Sequence, residues 1–98
     1  MNITGIKVRE IFHGTMVKAL VSITINGDFT VHDIKIVEGR AGRLYVAMPS
    51  LRGKDGVYRD VVHPIGSEAR QALETQILSL YDEHLESAYF PETAVVDV

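Results

Sequence analysis

The hydrophobic period of this chain changes once, between residues 62 and 67, and that change limits what the chain can fold into. Before it, apolar and polar residues alternate. In "MVKALVSITI", Val17, Ala19, Val21, Ile23 and Ile25 fall on one face, with Lys18, Ser22 and Thr24 on the other, the two-residue repeat of a half-buried strand. After it, Ala69, Leu73, Ile77, Leu80, Tyr81, His84 and Ala88 recur every three or four residues. That stripe predicts an amphipathic helix of about twenty residues, roughly 30 Å long. Strands first, one helix last and short connections throughout predict an α+β fold. Its sheet is an antiparallel meander of about five strands, because parallel crossovers need a dozen or more residues each.

The punctuation agrees. "ITGIKVREI" reads as a first strand with Ile6 and Val8 aligned and "HGTM" as its turn, while Asn26-Gly27 between alternating runs is a strong hairpin signal. "FTVHDIKIV" alternates less cleanly: Phe29 and Val31 fall on one face and Ile34 and Ile36 on the other, so both faces of that strand are expected to be partly covered. "GRAG" marks the next turn, and "RLYVAM" and "VYRDVV" the last two strands. Pro64 and Gly66 then break the pattern, with Ser67 placed to cap the helix and Glu68 in its first turn. One domain is expected over residues 1–88, with the sheet in 1–65 and the helix in 67–88. Residues 89–98 form an acidic tail, in which Pro91 stops the helix and "ETAVVDV" either frays or adds as an edge strand.

Ninety-eight residues, 46% of them hydrophobic, suit a single thin core. A chain of this size buries only roughly 60 to 65% of its unfolded surface. Oligomerisation is a common remedy, and the absence of cysteine rules out a disulfide and suits a reducing cytoplasm. The longest apolar run, Ala19 to Ile25, is interrupted by Ser22 and Thr24 and is too short to span a membrane, and the N-terminus does not read as a signal peptide. Net charge is -3, unevenly spread: residues 1–70 hold all ten Lys and Arg and sum to +3, whereas residues 71–98 hold six acids and sum to -6. Either the helix and tail are simply a solvated acidic face, or a basic body is built for an anionic partner.

Chemistry concentrates in "YVAMPSLRGKDGVYRDVVHPIGS", residues 45–67. Arg52, Lys54 and Arg59, with Gly53 and Gly56 between them, make a loop of cations beside closely approachable backbone, and phosphate oxygens are its natural target. Lys7, Arg9 and Lys18 join that surface if their strand faces lie nearby. The same charges would also serve a wet hairpin tip, since Lys-Asp-Gly is ordinary turn chemistry. Tyr45 and Tyr58 flank the loop, as base-stacking groups or as core and dimer contacts. Arg70 and Ser67 open a helix whose first turn is the one part of it able to accept an anion. His32-Asp33, Asp60 and His63 would suit a metal or acid-base site. Adjacent strand residues point to opposite faces, however, and without a bulge they do not converge. Asp33 or Asp60, buried and paired with an Arg such as Arg59 of a second copy, and His63 setting the turn before Pro64, are the structural readings. No phosphate-cradling glycine signature, nucleophile elbow or cysteine nucleophile is present, so neither an enzyme nor a cofactor is implied.

"VHDIKIVEG" (31–39), "LYVAMPS" (44–50) and "YRDVVHPI" (58–65), in that order and spacing, resemble the SpoVG family of septation regulators over about residues 1–85. The resemblance implies a homodimeric α+β protein that binds DNA, and in some members RNA, to affect septation, sporulation or gene expression. In that family two basic residues usually follow "AMPS". Here position 51 is Leu and Arg52 is kept, with Lys54 next in the loop. The expected partners are therefore DNA, RNA and a second copy, in the cytoplasm, with no membrane and no small-molecule substrate. The alternative is a protein-interaction adaptor whose acidic helix and tail bind a basic partner.

Overall fold

Asn26 and Gly27 both take positive φ, 54° and 69°, and the Asp28 N–H bonds to the Ile25 carbonyl at 2.9 Å. This is the two-residue turn expected of Asn-Gly, whose backbone twist matches that of the strands it joins. In the computed structural model, which describes residues 2–88 and side chains as far as Leu85, it connects β2 (Val17–Ile25) to β3 (Phe29–Glu38). With β1 (Ile3–Ile11) and β4 (Leu44–Ala47) these form a four-stranded antiparallel sheet in the order β1-β2-β3-β4, a simple meander. The turn before β4 places Ala41 and Gly42 at φ 58° and 75°.

The fifth expected strand does not extend this sheet. After β4 the chain forms a separate two-stranded hairpin, β5 (Ser50–Arg52) with β6 (Tyr58–Asp60). Pro49 stands at the break; it has no N–H to continue a ladder. The segment after β6 returns to the main sheet, where Val62, His63 and Pro64 close over Ile25, Val31, Met48 and Leu73. Helix α1 (Gly66–Ala88) follows, starting one residue earlier than expected. The acidic segment 89–98 lies outside the described residues.

The helix lies on one face of the sheet and reaches both edge strands, β1 and β4. Leu73, Ile77, Tyr81 and His84 are buried beneath it, at the spacing of the predicted stripe. Val8, Ala19, Val21, Ile23, Ile34, Ile36, Val46 and Met48 meet them from the sheet and complete the core. Each large side chain fully buried here contributes roughly 1.5–3 kcal/mol. No helix among the described residues is long and apolar enough to cross a membrane.

One expectation about β3 is corrected. Val31, Ile34 and Ile36 share the helix-side face, because His32 and Asp33 together oppose the single residue Ser22 between the pairs Val21↔Ile34 and Ile23↔Val31. This β-bulge, with Asp33 at φ 64°, inserts one residue and resets the alternation. Arg9 and Lys18 are likewise extra residues, lying between Val8↔Val21 and Glu10↔Leu20, and between Val17↔Val37 and Ala19↔Ile36.

Candidate nucleic-acid interface

Gly53 and Val57 close the β5–β6 tip through a 2.9 Å bond from the Gly53 N–H to the Val57 carbonyl, leaving Lys54, Asp55 and Gly56 as a three-residue loop. Gly56 sits at φ 82°, the left-handed position such a loop requires. The register Ser50↔Asp60, Leu51↔Arg59, Arg52↔Tyr58 sorts the side chains, because opposed residues share a face and neighbours alternate. One face carries Arg52 and Tyr58 as a cross-strand pair, with Ser50 and Asp60. The other carries Leu51 and Arg59, and the ladder bonds at Val57 and Val61 place those valines beside them. The hairpin is thus amphipathic, with a cationic-aromatic face and an apolar one.

Arg59 is not a free cation. Its Nη2 and Nη1 donate to the two carboxylate oxygens of Asp55 at 2.7 and 3.3 Å, while the Val57 N–H donates to Asp55 Oδ1 at 3.0 Å. The Arg59 guanidinium therefore holds the Asp55 carboxyl below its usual range, the Val57 amide adding to the effect, and Asp55 in turn raises Arg59. A depressed carboxylate pKa means that the interaction is present above the ordinary value of 3.8 and is lost as pH falls through the lower folded value. An acid titration followed at the Val57 amide by NMR is expected to show a midpoint below pH 3.8, absent in Asp55→Asn. A midpoint at or above the ordinary value would contradict the pairing. Arg52 and Lys54 make no ion pair among the described residues and are exposed.

The other predicted cations are dispersed. Lys18, displaced by its bulge, turns to the helix side and pairs with Glu38 at 3.1 Å near Tyr81, whose phenol is pushed up mainly by burial. It is therefore not on the outward face expected of it. Lys7 and Arg9 sit together on the opposite face of the sheet, around a concavity with Ser22 and Thr24. Arg70, at the helix start, lies 4.0 Å from Asp60 and 3.6 Å from Glu74, so that its charge is already shared between two acids.

The His and Asp constellation disperses as well, even though a bulge at His32-Asp33 is present. His32 Nδ1 lies 2.8 Å from Ser22 Oγ, and His63 Nδ1 donates to the Pro64 carbonyl at 3.0 Å, holding the turn as expected. Asp33 and Asp60 are both exposed in this chain rather than buried. Asp60 and Arg59, as strand neighbours, face opposite sides of the hairpin. Tyr45 and Tyr58 are exposed, and Tyr45 packs its ring against Gly39. Ser22 lies on the face that alternation gives it, opposite Val21 and Ile23, yet is only 4% exposed, being covered by Arg9 and His32.

The SpoVG family pattern matches residues 1–83, almost the whole described domain. The chain belongs to the SpoVG family. It is 46% identical over 87 residues to a protein of Agathobacter rectalis named septation protein SpoVG, covering 89% of this chain and 99% of that one. The same name is borne by a relative from Desulforudis audaxviator, 46% identical over 92% of this chain and all of its own, and by one from Staphylococcus carnosus, 46% identical over 85% and 77%. These SpoVG proteins are named for septation rather than for a catalysed reaction. The hairpin geometry explains how a SpoVG chain accommodates Leu51. That side chain faces Arg59, Val57 and Val61, so an apolar residue there leaves the Arg52–Tyr58 face untouched.

Proposed function

We propose that this protein is a cytoplasmic regulator of septation, sporulation or gene expression that acts by binding DNA, and also RNA, rather than by catalysis. The observation that carries this reading is the hairpin tip, where Arg52 and Lys54 stand exposed beside Tyr58 and make no ion pair among the described residues. Cations on a projecting turn neutralise phosphates, and a neighbouring aromatic ring offers a stacking surface to an unpaired base. Arg59 acts chiefly by pinning Asp55, and so keeps that carboxylate from opposing the ligand. Lys7 and Arg9 offer a second contact on the sheet, whereas Lys18 is spent on Glu38. Binding of labelled DNA and RNA across a salt series tests the reading. Wild type that shifts neither at low salt would overturn it and favour the adaptor.

The protein acts as a homodimer in this reading. What supports it is the exposed apolar face of the hairpin and the segment after it: Leu51 is 67% exposed, Val61 59% and Ile65 88%. Such a patch on a thin-cored chain marks an association surface, and two copies double the number of tips presented to a duplex. Sedimentation at micromolar concentration is expected to give twice the mass of one chain, shifting toward the monomer in Leu51→Asp/Val61→Asp. A wild-type monomer would refute it.

A further inference from the structure

On the sheet face that the helix leaves open, two bulges lie close together along β2, one opposite the Leu20–Val21 step and one opposite Ser22. Arg9 is the extra residue of β1 beside Val8↔Val21, and His32 with Asp33 opposes Ser22 across β2–β3. Bulges re-aim side chains, and here both flanking strands aim at the central one. Arg9 Nε–H donates to Ser22 Oγ at 3.2 Å, and the same oxygen lies 2.8 Å from His32 Nδ1. An arginine Nε is only a donor, so Ser22 must accept from it. The hydroxyl, anchored on its other side by His32, becomes a fixed peg for the guanidinium.

The peg engages one of five guanidinium N–H groups and leaves the four on Nη1 and Nη2 without a partner among the described residues. Beside them is an open concavity of about 360 Å³ lined by Gly5, Ile6, Lys7, Arg9, Ser22, Thr24 and Thr30. Its lining has two cations and three hydroxyls and no carboxylate. That donor set repels a metal cation. It suits a tetrahedral oxyanion, which a planar guanidinium fork grips with two parallel bonds while a lysine adds a point charge.

We propose that this concavity is a phosphate seat: Arg9, oriented by the Ser22–His32 pair, takes two phosphate oxygens, and Lys7, Thr24 and Thr30 complete the contact. The open shape lets a chain continue on either side of the phosphate, so the ligand is a phosphodiester of a bound strand. That assignment of source rests on the nucleic-acid reading above; the seat itself does not. The hairpin cations are on β5–β6, which pair only with each other, so the seat is a second, independent contact.

NMR titrations of the full chain with inorganic phosphate and, separately, with a single-stranded oligonucleotide test both levels. Phosphate is expected to give saturable shifts at the amides of residues 7–9, 22–24 and 30–32, in wild type and equally in Arg52→Ala/Lys54→Ala. Arg9→Lys keeps the charge but cannot present the pegged fork. It is expected to weaken binding about tenfold or more, the worth of one charge-assisted hydrogen bond. Ser22→Ala should also weaken it, and unchanged α1 amides check that each variant is folded. The absence of saturable shifts on this face, or Arg9→Lys binding as wild type does, overturns the seat whether or not the oligonucleotide binds. If phosphate binds there and the oligonucleotide leaves those amides unmoved, the seat stands and its assignment to a strand falls. An oligonucleotide that binds nowhere overturns the nucleic-acid function and leaves the phosphate result intact.

Discussion

Replacing Arg52 and Lys54 together with alanine is expected to lower affinity for duplex DNA by about 60-fold per tip at about 0.1 M salt, relative to a 1 M reference. Each phosphate contact contributes about 0.9 to the slope of log affinity against log salt, so two contribute about 1.8 on a duplex and about 1.4 on a single strand. The slope is the decisive measurement, since a variant that merely unfolds the tip would lose affinity without that stoichiometric change. If both tips of a dimer engage one duplex, the change doubles. Arg59 provides the control. Arg59→Ala leaves Asp55 as an unmatched anion at the tip and should weaken binding, whereas Asp55→Ala/Arg59→Ala removes both members of the pair bonded at 2.7 Å and should restore most of it. A double mutant with the wild-type slope, or an Asp55→Ala/Arg59→Ala variant as weak as Arg59→Ala, would show that the contact lies elsewhere.

The difference between those two arginines marks where the sequence stops being readable. Arg52, Lys54 and Arg59 look alike in one dimension, and each was a reasonable phosphate ligand. What separates them is the geometry of the three-residue loop, which turns Asp55 back onto Arg59 and leaves the other two in solvent. The features with local causes are legible: Asn26-Gly27 demands positive φ, and a stripe at Leu73, Ile77 and Tyr81 can only be a helix face. The meander follows from the short connections for four strands, whereas the separation of the last hairpin after Pro49 does not. Bulges have no comparable signature. Nothing in the residue types at Arg9 or Lys18 announces an extra residue, yet one insertion sent Lys18 to Glu38 and the other brought Arg9 onto Ser22. For β3 the signal is present but has two readings. Broken alternation in "FTVHDIKIV" fits two covered faces, but Asp, which tolerates a left-handed backbone, also allows an inserted residue, and that is what the strand contains.

That insertion supports the second large prediction, in which two single-residue deletions in the same strand have opposite outcomes. Without Asp33, the strand reads Val31, His32, Ile34, Lys35, Ile36, which opposes β2 residue for residue. Val31 stays against Ile23 and Ile34 against Val21, with Val31, Ile34 and Ile36 still facing the helix. The deletion also removes a non-glycine residue at φ 64°, a conformation that costs roughly 1–2 kcal/mol. The variant is therefore expected to fold, with a melting temperature within a few degrees of wild type. Deleting Lys35 has no such escape. If the bulge is kept, Ile36, now fully buried, turns outward, and every later residue of β3 changes face; if the bulge is lost, Asp33 turns into the core. Either arrangement forfeits a buried isoleucine or strands an unpaired carboxylate, costs of several kcal/mol against a small domain's total of about 5–15. Circular dichroism melts decide between them: a cooperative transition for the Asp33 deletion and none for the Lys35 deletion is the expected pair. If both unfold, the bulge is not the removable residue that the pairing register implies.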